Sequence, residues 1–157
     1  IPQIGKEICL SEIRKRHLQR FVYRPFAPAL MLWTNEIAFN QIPNPIKQFL
    51  NGAISYFRHG EWRTSIVLSA IAVEIILAEL YEENYQEEAP DVSLGKLIKL
   101  LRQKITLGEE IENSISVTNE KRITAVHRSQ IIPSEKEAVD ALFGAGRLTL
   151  WYSKQFS

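Results

Sequence analysis

The chain contains 157 residues, of which 45% are hydrophobic, and its formal net charge at pH 7 is +1. This length allows one sizeable hydrophobic core and is short for two, so we predict a single globular domain. The near-zero net charge argues against a protein that binds DNA mainly through a large basic surface, but it leaves a compact RNA site open.

The cysteine and histidine content limits the cofactors and the compartment. A single cysteine excludes an intrachain disulfide, and the three histidines lack the spacing of metal ligands, so we expect no metal and no other cofactor.

No apolar run follows a basic start at the N-terminus, so we expect a cytoplasmic protein rather than a secreted one. Because the chain begins with Ile1 rather than Met, we expect a piece of a longer protein with further domains, or a processed product.

Residues 1–43 are predicted to form an N-terminal extension that packs on the core. The spacing of apolar residues predicts a helix from Lys6 to Arg20. Residues 21–33 are apolar and aromatic but include two prolines, and a proline inside a helix removes a hydrogen bond and clashes with the preceding turn. This stretch is therefore predicted to be an extended segment lying on the core, and a short strand within it is left open.

Residues 44–157 are predicted to form an all-α domain, an antiparallel bundle of about five helices. The pair Asn44-Pro45 is typical of a helix start, and Ser134 with Glu137 forms a capping box before the last helix. The predicted helices span residues 44–59, 61–85, 93–106, 109–128 and 134–154.

The second predicted helix, 61–85, is apolar on nearly every side, as expected for a helix at the centre of a bundle. A membrane span is the rival interpretation, but it needs about 20 uncharged residues. Glu74 interrupts the apolar run, so we expect no membrane contact. A carboxylate enclosed in such a helix needs a partner. We expect Glu74 either to pair with Arg122 and orient it or to form a hydrogen bond to a neighbouring helix.

The fourth predicted helix, 109–128, carries polar residues where its apolar stripe should continue. Arg122 and His127 are five residues apart, so on an ideal helix they differ by about 140° in direction and about 7.5 Å in height. Asn119 lies between them, about 60° from Arg122 and about 80° from His127, so the three share one broad face. Each also has a structural interpretation: an ion pair for Arg122, a cap or surface group for His127, and an exposed polar residue for Asn119.

The sequence from Arg122 to His127 resembles the Arg-x4-to-6-His motif of HEPN domains, helical bundles found in many prokaryotic toxins and RNA-cleaving defence proteins. Its surroundings extend the resemblance. Asn119 precedes the arginine by three residues, a long central helix with Glu74 comes before it, and a capped helix ending in Leu150-Trp151-Tyr152 follows. The resemblance covers nearly all of the predicted bundle.

The resemblance implies a metal-independent endoribonuclease that cleaves RNA by attack of the RNA's own 2′-hydroxyl. His127 would act as general base or acid, since imidazole titrates near neutral pH. Arg122 would hold the phosphate bidentately and offset the charge that develops on its oxygens. Asn119 would orient one of these residues or contact the phosphate. The resemblance further implies a homodimer with two copies of the motif across a shared cleft, and a role as a toxin or defence effector.

A second function stays open, that of a non-catalytic HEPN-like module. Such a module would bind a nucleotide or RNA without cutting it, or join subunits within a larger protein. In catalytic HEPN domains the residue after the arginine is often polar, whereas here it is Ile123, which favours this alternative. Fold analogy alone does not establish activity.

Overall fold

The computed structural model describes residues 41–155 of the chain. The helix predicted from Lys6 to Arg20 and the extended segment predicted for residues 21–33 lie outside the described residues. Within the described part, 76% of the residues are helical and none forms a strand. The predicted fold class, an all-α bundle of about five helices, is therefore confirmed for this part of the chain.

The predicted helix ends agree with the structure to within one residue, except at the C-terminus of the third helix, which was predicted near 106. The observed helices are α1 (Asn44–Arg58), α2 (Trp62–Tyr85), α3 (Leu94–Arg102), α4 (Glu109–His127) and α5 (Glu135–Lys154).

The chain leaves α3 early because Leu107 occupies the core. In the sequence, Ile105 stands where the apolar pattern of the helix would continue. In the structure, residues 103–105 instead form turns, and their N–H groups donate to the carbonyls of Leu100 and Leu101. Leu107 is only 4% exposed. Gly108 then adopts a φ of +87° at the start of α4, a conformation that favours glycine.

The helix starts follow the local signals in the sequence. Ser134 Oγ accepts a hydrogen bond from the Glu137 N–H at 3.2 Å, and Glu137 Oε2 accepts one from the Ser134 N–H at 2.7 Å, so the predicted capping box is present. Asn44 is the first residue of α1, as the Asn44-Pro45 pair predicts, but it does not cap the helix. The capping position is Pro43, and no side-chain hydrogen bond caps this helix.

The helix α2 lies at the centre of the bundle, as predicted, and packs against each of the other four described helices. Val73 and Ile76, near its middle, are both 0% exposed. Among the described residues, α2 is long and apolar enough to cross a membrane by length and composition. Its burial against four helices is a sufficient reason for that apolar composition.

The helices α4 and α5 form the antiparallel pair that carries the candidate site. Thr118 of α4 donates a hydrogen bond to the Ala141 carbonyl of α5 at 3.2 Å. Ser114, one turn earlier in α4, lies beside Gly144, which comes later in α5, and this order of contacts makes the pair antiparallel. A Cβ atom added to Gly144 would lie 2.7 Å from the Ser114 carbonyl oxygen. The close approach of the two helices therefore requires glycine at this position.

Gly144→Ala should destabilise the fold by about 1 to 3 kcal/mol, the usual cost of overpacking. The added methyl group would meet Thr118 Oγ1 and the Ser114 carbonyl, and a backbone oxygen cannot rotate away. Chemical denaturation measures the change in the free energy of unfolding. Gly95→Ala in α3 is the control, because a Cβ there meets nothing within 4 Å. It should be neutral or stabilising by up to about 1 kcal/mol, and equal stability of the two variants would contradict the close approach.

Candidate functional site

The helix α4 places Asn119 and Arg122 at the edge of the core. Ile115, Thr118 and Ala125 of the same helix are buried and fix its orientation against α2 and α5. Arg122 follows Thr118 by about one helical turn, so its stem lies beside this buried stripe. Its side chain is 28% exposed, which leaves part of the guanidinium accessible to solvent.

Arg122 lies between Glu74 of α2 and Asn119 of its own helix. Its Nη1 is 3.8 Å from Glu74 Oε1, and its Nη2 donates a hydrogen bond to Asn119 Oδ1 at 3.4 Å. The predicted pairing of Glu74 with Arg122 is therefore confirmed. The ion pair links α2 to α4, and the hydrogen bond lies within α4; we call the three residues the arginine cluster.

Glu74 is more exposed than its apolar surroundings in the sequence indicate. Its side chain is 45% exposed, whereas Val73 and Ile76 on the same helix are fully buried. The expectation of an enclosed carboxylate is wrong, because Glu74 lies on the side of α2 that is open beside α4. An ion pair with this much solvent contact contributes only about 0 to 1 kcal/mol. The pair therefore adds little to the stability of the fold.

The Arg122 guanidinium has donor capacity beyond its two contacts. A guanidinium carries five N–H groups in a fixed planar arrangement. The two Nη groups, which contact Glu74 and Asn119, carry four of these and keep N–H groups beyond those contacts. The fifth N–H, on Nε, is buried and has no hydrogen-bond partner among the described residues, so a ligand from solvent does not reach it. Planar guanidinium donors match the spacing of phosphate oxygens. The arginine cluster is therefore suited to bind an anion.

His127 is the last residue of α4, and its side chain is exposed. It makes no hydrogen bond or ion pair with the described residues, the arginine cluster included. In a continuous helix it points about 140° away from Arg122 and lies about 7.5 Å further along the axis. The structure thus brings three of the four predicted site residues together and leaves His127 apart on the same helix.

Arg63, in the first turn of α2, contacts the end of α4 and was missed by the sequence interpretation. Its Nη1 donates to the carbonyl of Ala125, and its Nη2 donates to the carbonyls of Ser129 and Ile131 at 3.2 and 2.7 Å. A cation in the first turn is unfavourable for its own helix dipole and favourable at the C-terminus of a neighbouring helix. The position of Arg63 in the first turn of α2 was therefore a signal in the sequence that its side chain contacts another helix. It does not identify which helix.

Four exposed apolar side chains surround the end of α4. Two lie in its last turns and two in the following loop, and their exposed fractions range from 45% to 85%. Scattered exposed apolar residues are common, but a group of them beside one helix end is typical of an interaction surface. We call this group the apolar rim; it consists of Ile123, Val126, Ile131 and Ile132.

Tyr152 anchors the last turn of α5 to the acidic side of α2. It is only 1% exposed, and its hydroxyl donates to Glu79 Oε2 at 2.5 Å. Burial, followed by this hydrogen bond, raises the pKa of Tyr152 well above its ordinary value. The hydroxyl therefore stays protonated and acts as a structural donor.

A separate groove of about 750 Å³ lies between the N-terminal half of α4 and α5. Its lining includes Asn113, Phe143 and Arg147, and none of the predicted site residues belongs to it.

Across residues 41–155 no group of three or more histidine, cysteine or acidic side chains is arranged to hold a metal ion.

Comparison with models of protein families, with curated proteins and with solved structures gives no match for this chain. The residues and their geometry are therefore the basis for a functional assignment.

Proposed function

We propose that this domain is a metal-independent endoribonuclease of the HEPN type, acting in the cytoplasm as a toxin or defence effector. The observation that carries the proposal is the environment of the Arg122 side chain. This side chain lies between Glu74 and Asn119, is partly exposed, keeps N–H groups on its terminal nitrogens beyond those two contacts, and belongs to the helix that ends in an exposed histidine, His127. The resemblance of this helix to the HEPN motif supplies the reaction class.

The proposed reaction is a transesterification within the RNA strand. The 2′-oxygen attacks the adjacent phosphorus as its proton passes to a general base. The bond from phosphorus to the 5′-oxygen then breaks, and a general acid protonates that oxygen. The products are a 2′,3′-cyclic phosphate and a 5′-hydroxyl. His127 serves as one of the proton-transfer groups, and Arg122 binds the phosphate oxygens and offsets their growing charge.

A homodimer supports this chemistry better than a monomer. In one copy Arg122 and His127 diverge by about 140° around α4, which separates phosphate binding from proton transfer. A second copy packed on the same helix would place the arginine cluster of one subunit across a cleft from His127 of the partner subunit. The apolar rim lies beside His127, and apolar side chains of this kind favour burial between subunits.

In solution the chain should therefore have twice the mass of its monomer, since a two-fold contact repeats one patch on both copies. Light scattering coupled to size exclusion measures this mass directly. Replacing Ile132, which is 85% exposed, by Asp should shift the protein toward monomer by placing a charge in the interface. A monomer at high protein concentration would remove the shared-cleft mechanism.

The function itself is tested by incubating the purified protein with end-labelled single-stranded RNA, with and without chelator. Cleavage should continue in chelator and leave a 2′,3′-cyclic phosphate and a 5′-hydroxyl, because no step of the proposed reaction uses a metal. Glu74→Gln is an informative variant, since it keeps the shape of the side chain and removes the charge that pairs with Arg122. Loss of all cleavage in chelator would contradict the proposal.

The second candidate function is a binding module that holds a nucleotide or RNA without cutting it, or a dimerisation module, within a larger protein. The observation that favours it is Ile123, which is 45% exposed beside Arg122, where catalytic HEPN domains often have a polar residue. RNA that binds in a manner dependent on Arg122 and stays intact would select this function.

A further inference from the structure

Arg63 belongs to α2, yet its hydrogen bonds go to the end of α4 and to the loop that follows. We infer that Arg63 is a positioning residue that holds the backbone of His127 in its place at the site. This inference rests on the proposed function, because it concerns the residue to which proton transfer is assigned.

The end of α4 is not closed by a glycine. The last carbonyl groups of a helix have no partners within the helix, and a glycine in the left-handed conformation often turns the chain so that they are satisfied. Here the capping residue is Arg128, with φ −111° and ψ 64°. Arg63 takes over this task, since its guanidinium reaches the carbonyl of Ala125 inside the helix and that of Ser129 beyond it.

His127 lies midway between the two carbonyls that Arg63 joins. Its own side chain is exposed and makes no hydrogen bond to the residues that the structure describes. The position of the imidazole therefore depends on the backbone of the last turn, which Arg63 ties to α2 through the Ala125 carbonyl. Misplacing a reacting group by about 1 Å can cost on the order of 10²-fold in rate. Loosening the turn should accordingly affect turnover more than RNA binding.

The geometry of the contact makes arginine different from lysine at this position. A guanidinium presents donors in a planar fork and can serve several carbonyls at once, whereas an ammonium is a compact charge on a flexible stem. Lysine would keep the positive charge that the C-terminal end of a helix favours. It would not reproduce the three contacts, so an intermediate phenotype is expected.

The test compares Arg63→Gln and Arg63→Lys with the unmodified chain. Single-turnover and steady-state assays on labelled RNA give kcat and KM, and amide hydrogen exchange is followed at Arg128 and Ile131. Arg102→Gln is the matched control. Arg102 also contacts α4 through two hydrogen bonds, at 2.9 and 3.1 Å to Glu112, but these lie at the opposite end of the helix.

Arg63→Gln should lower kcat by about 10²-fold with little change in KM, and should speed exchange at both amides. Arg63→Lys should recover part of the lost kcat, and Arg102→Gln should match the unmodified chain in kcat. Faster exchange with unchanged kcat would overturn the positioning role and leave a structural one. Unchanged exchange would overturn the inference that Arg63 holds this segment of backbone. If the unmodified chain cuts no RNA, the proposed function fails, and the exchange result alone decides whether Arg63 holds this segment.

Discussion

His127→Ala should reduce the rate of RNA cleavage by about 10²- to 10⁴-fold, the usual contribution of a positioned general acid or base. The change should leave the fold intact, because the imidazole is exposed and makes no hydrogen bond or ion pair with the described residues. Arg122→Ala should cause a comparable loss of rate through the missing charge at the phosphate. Single-turnover cleavage of labelled RNA, measured beside a thermal unfolding curve, separates a loss of chemistry from a loss of fold.

His59→Ala is the matched control for this experiment. His59 is also an exposed histidine at the end of a helix, where its Nδ1 lies 2.7 Å from the Ser55 carbonyl oxygen. It belongs to α1 and takes no part in the proposed site, so its replacement should leave the cleavage rate unchanged. Full activity in His127→Ala would contradict the assignment of proton transfer to this residue.

Ile76→Ala should lower the free energy of unfolding by about 2 to 5 kcal/mol. Ile76 is 0% exposed in the central helix α2, and α2 contacts all the other described helices. The truncation removes buried methyl and methylene groups and leaves a cavity that four packed neighbours cannot easily fill. Urea denaturation followed by circular dichroism measures the change.

A graded series strengthens this stability measurement. Ile76→Val removes a single methylene group and should cost about 0.5 to 1.5 kcal/mol. Val92→Ala, at a side chain that is 36% exposed, should stay within about 0.5 kcal/mol of the unmodified chain. A loss below about 1 kcal/mol for Ile76→Ala would place that residue outside the core.

The helices were predictable from the sequence because their signals are local. Apolar spacing and the capping box at Ser134 both act within a few residues. The C-terminus of α3 was not predictable in this way. It is set by the burial of Leu107, and burial depends on helices that are distant in the sequence.

Two parts of the site were predictable from the sequence: the pair of residues that lie on one helix, and the charged residue that interrupts an apolar helix. Asn119 and Arg122 are three residues apart and meet as helix geometry requires. Glu74 interrupts an apolar helix, so a cationic partner was expected and is present. The contacts of Arg63 with Ala125 and Ile131 span more than 60 residues. No periodicity indicates them, because they depend on how α2 and α4 lie against each other.

The central claim is that the RNA supplies its own nucleophile, and a single 2′-deoxy substitution tests it most directly. Two end-labelled strands of identical sequence are incubated with the protein in chelator, one with ribose throughout and one with 2′-deoxyribose at the cleaved position. The ribose strand should be cut to a 2′,3′-cyclic phosphate and a 5′-hydroxyl, and the substituted strand should stay intact at that position. Cleavage of the substituted strand at the same bond would contradict attack by the 2′-hydroxyl and with it the proposed mechanism.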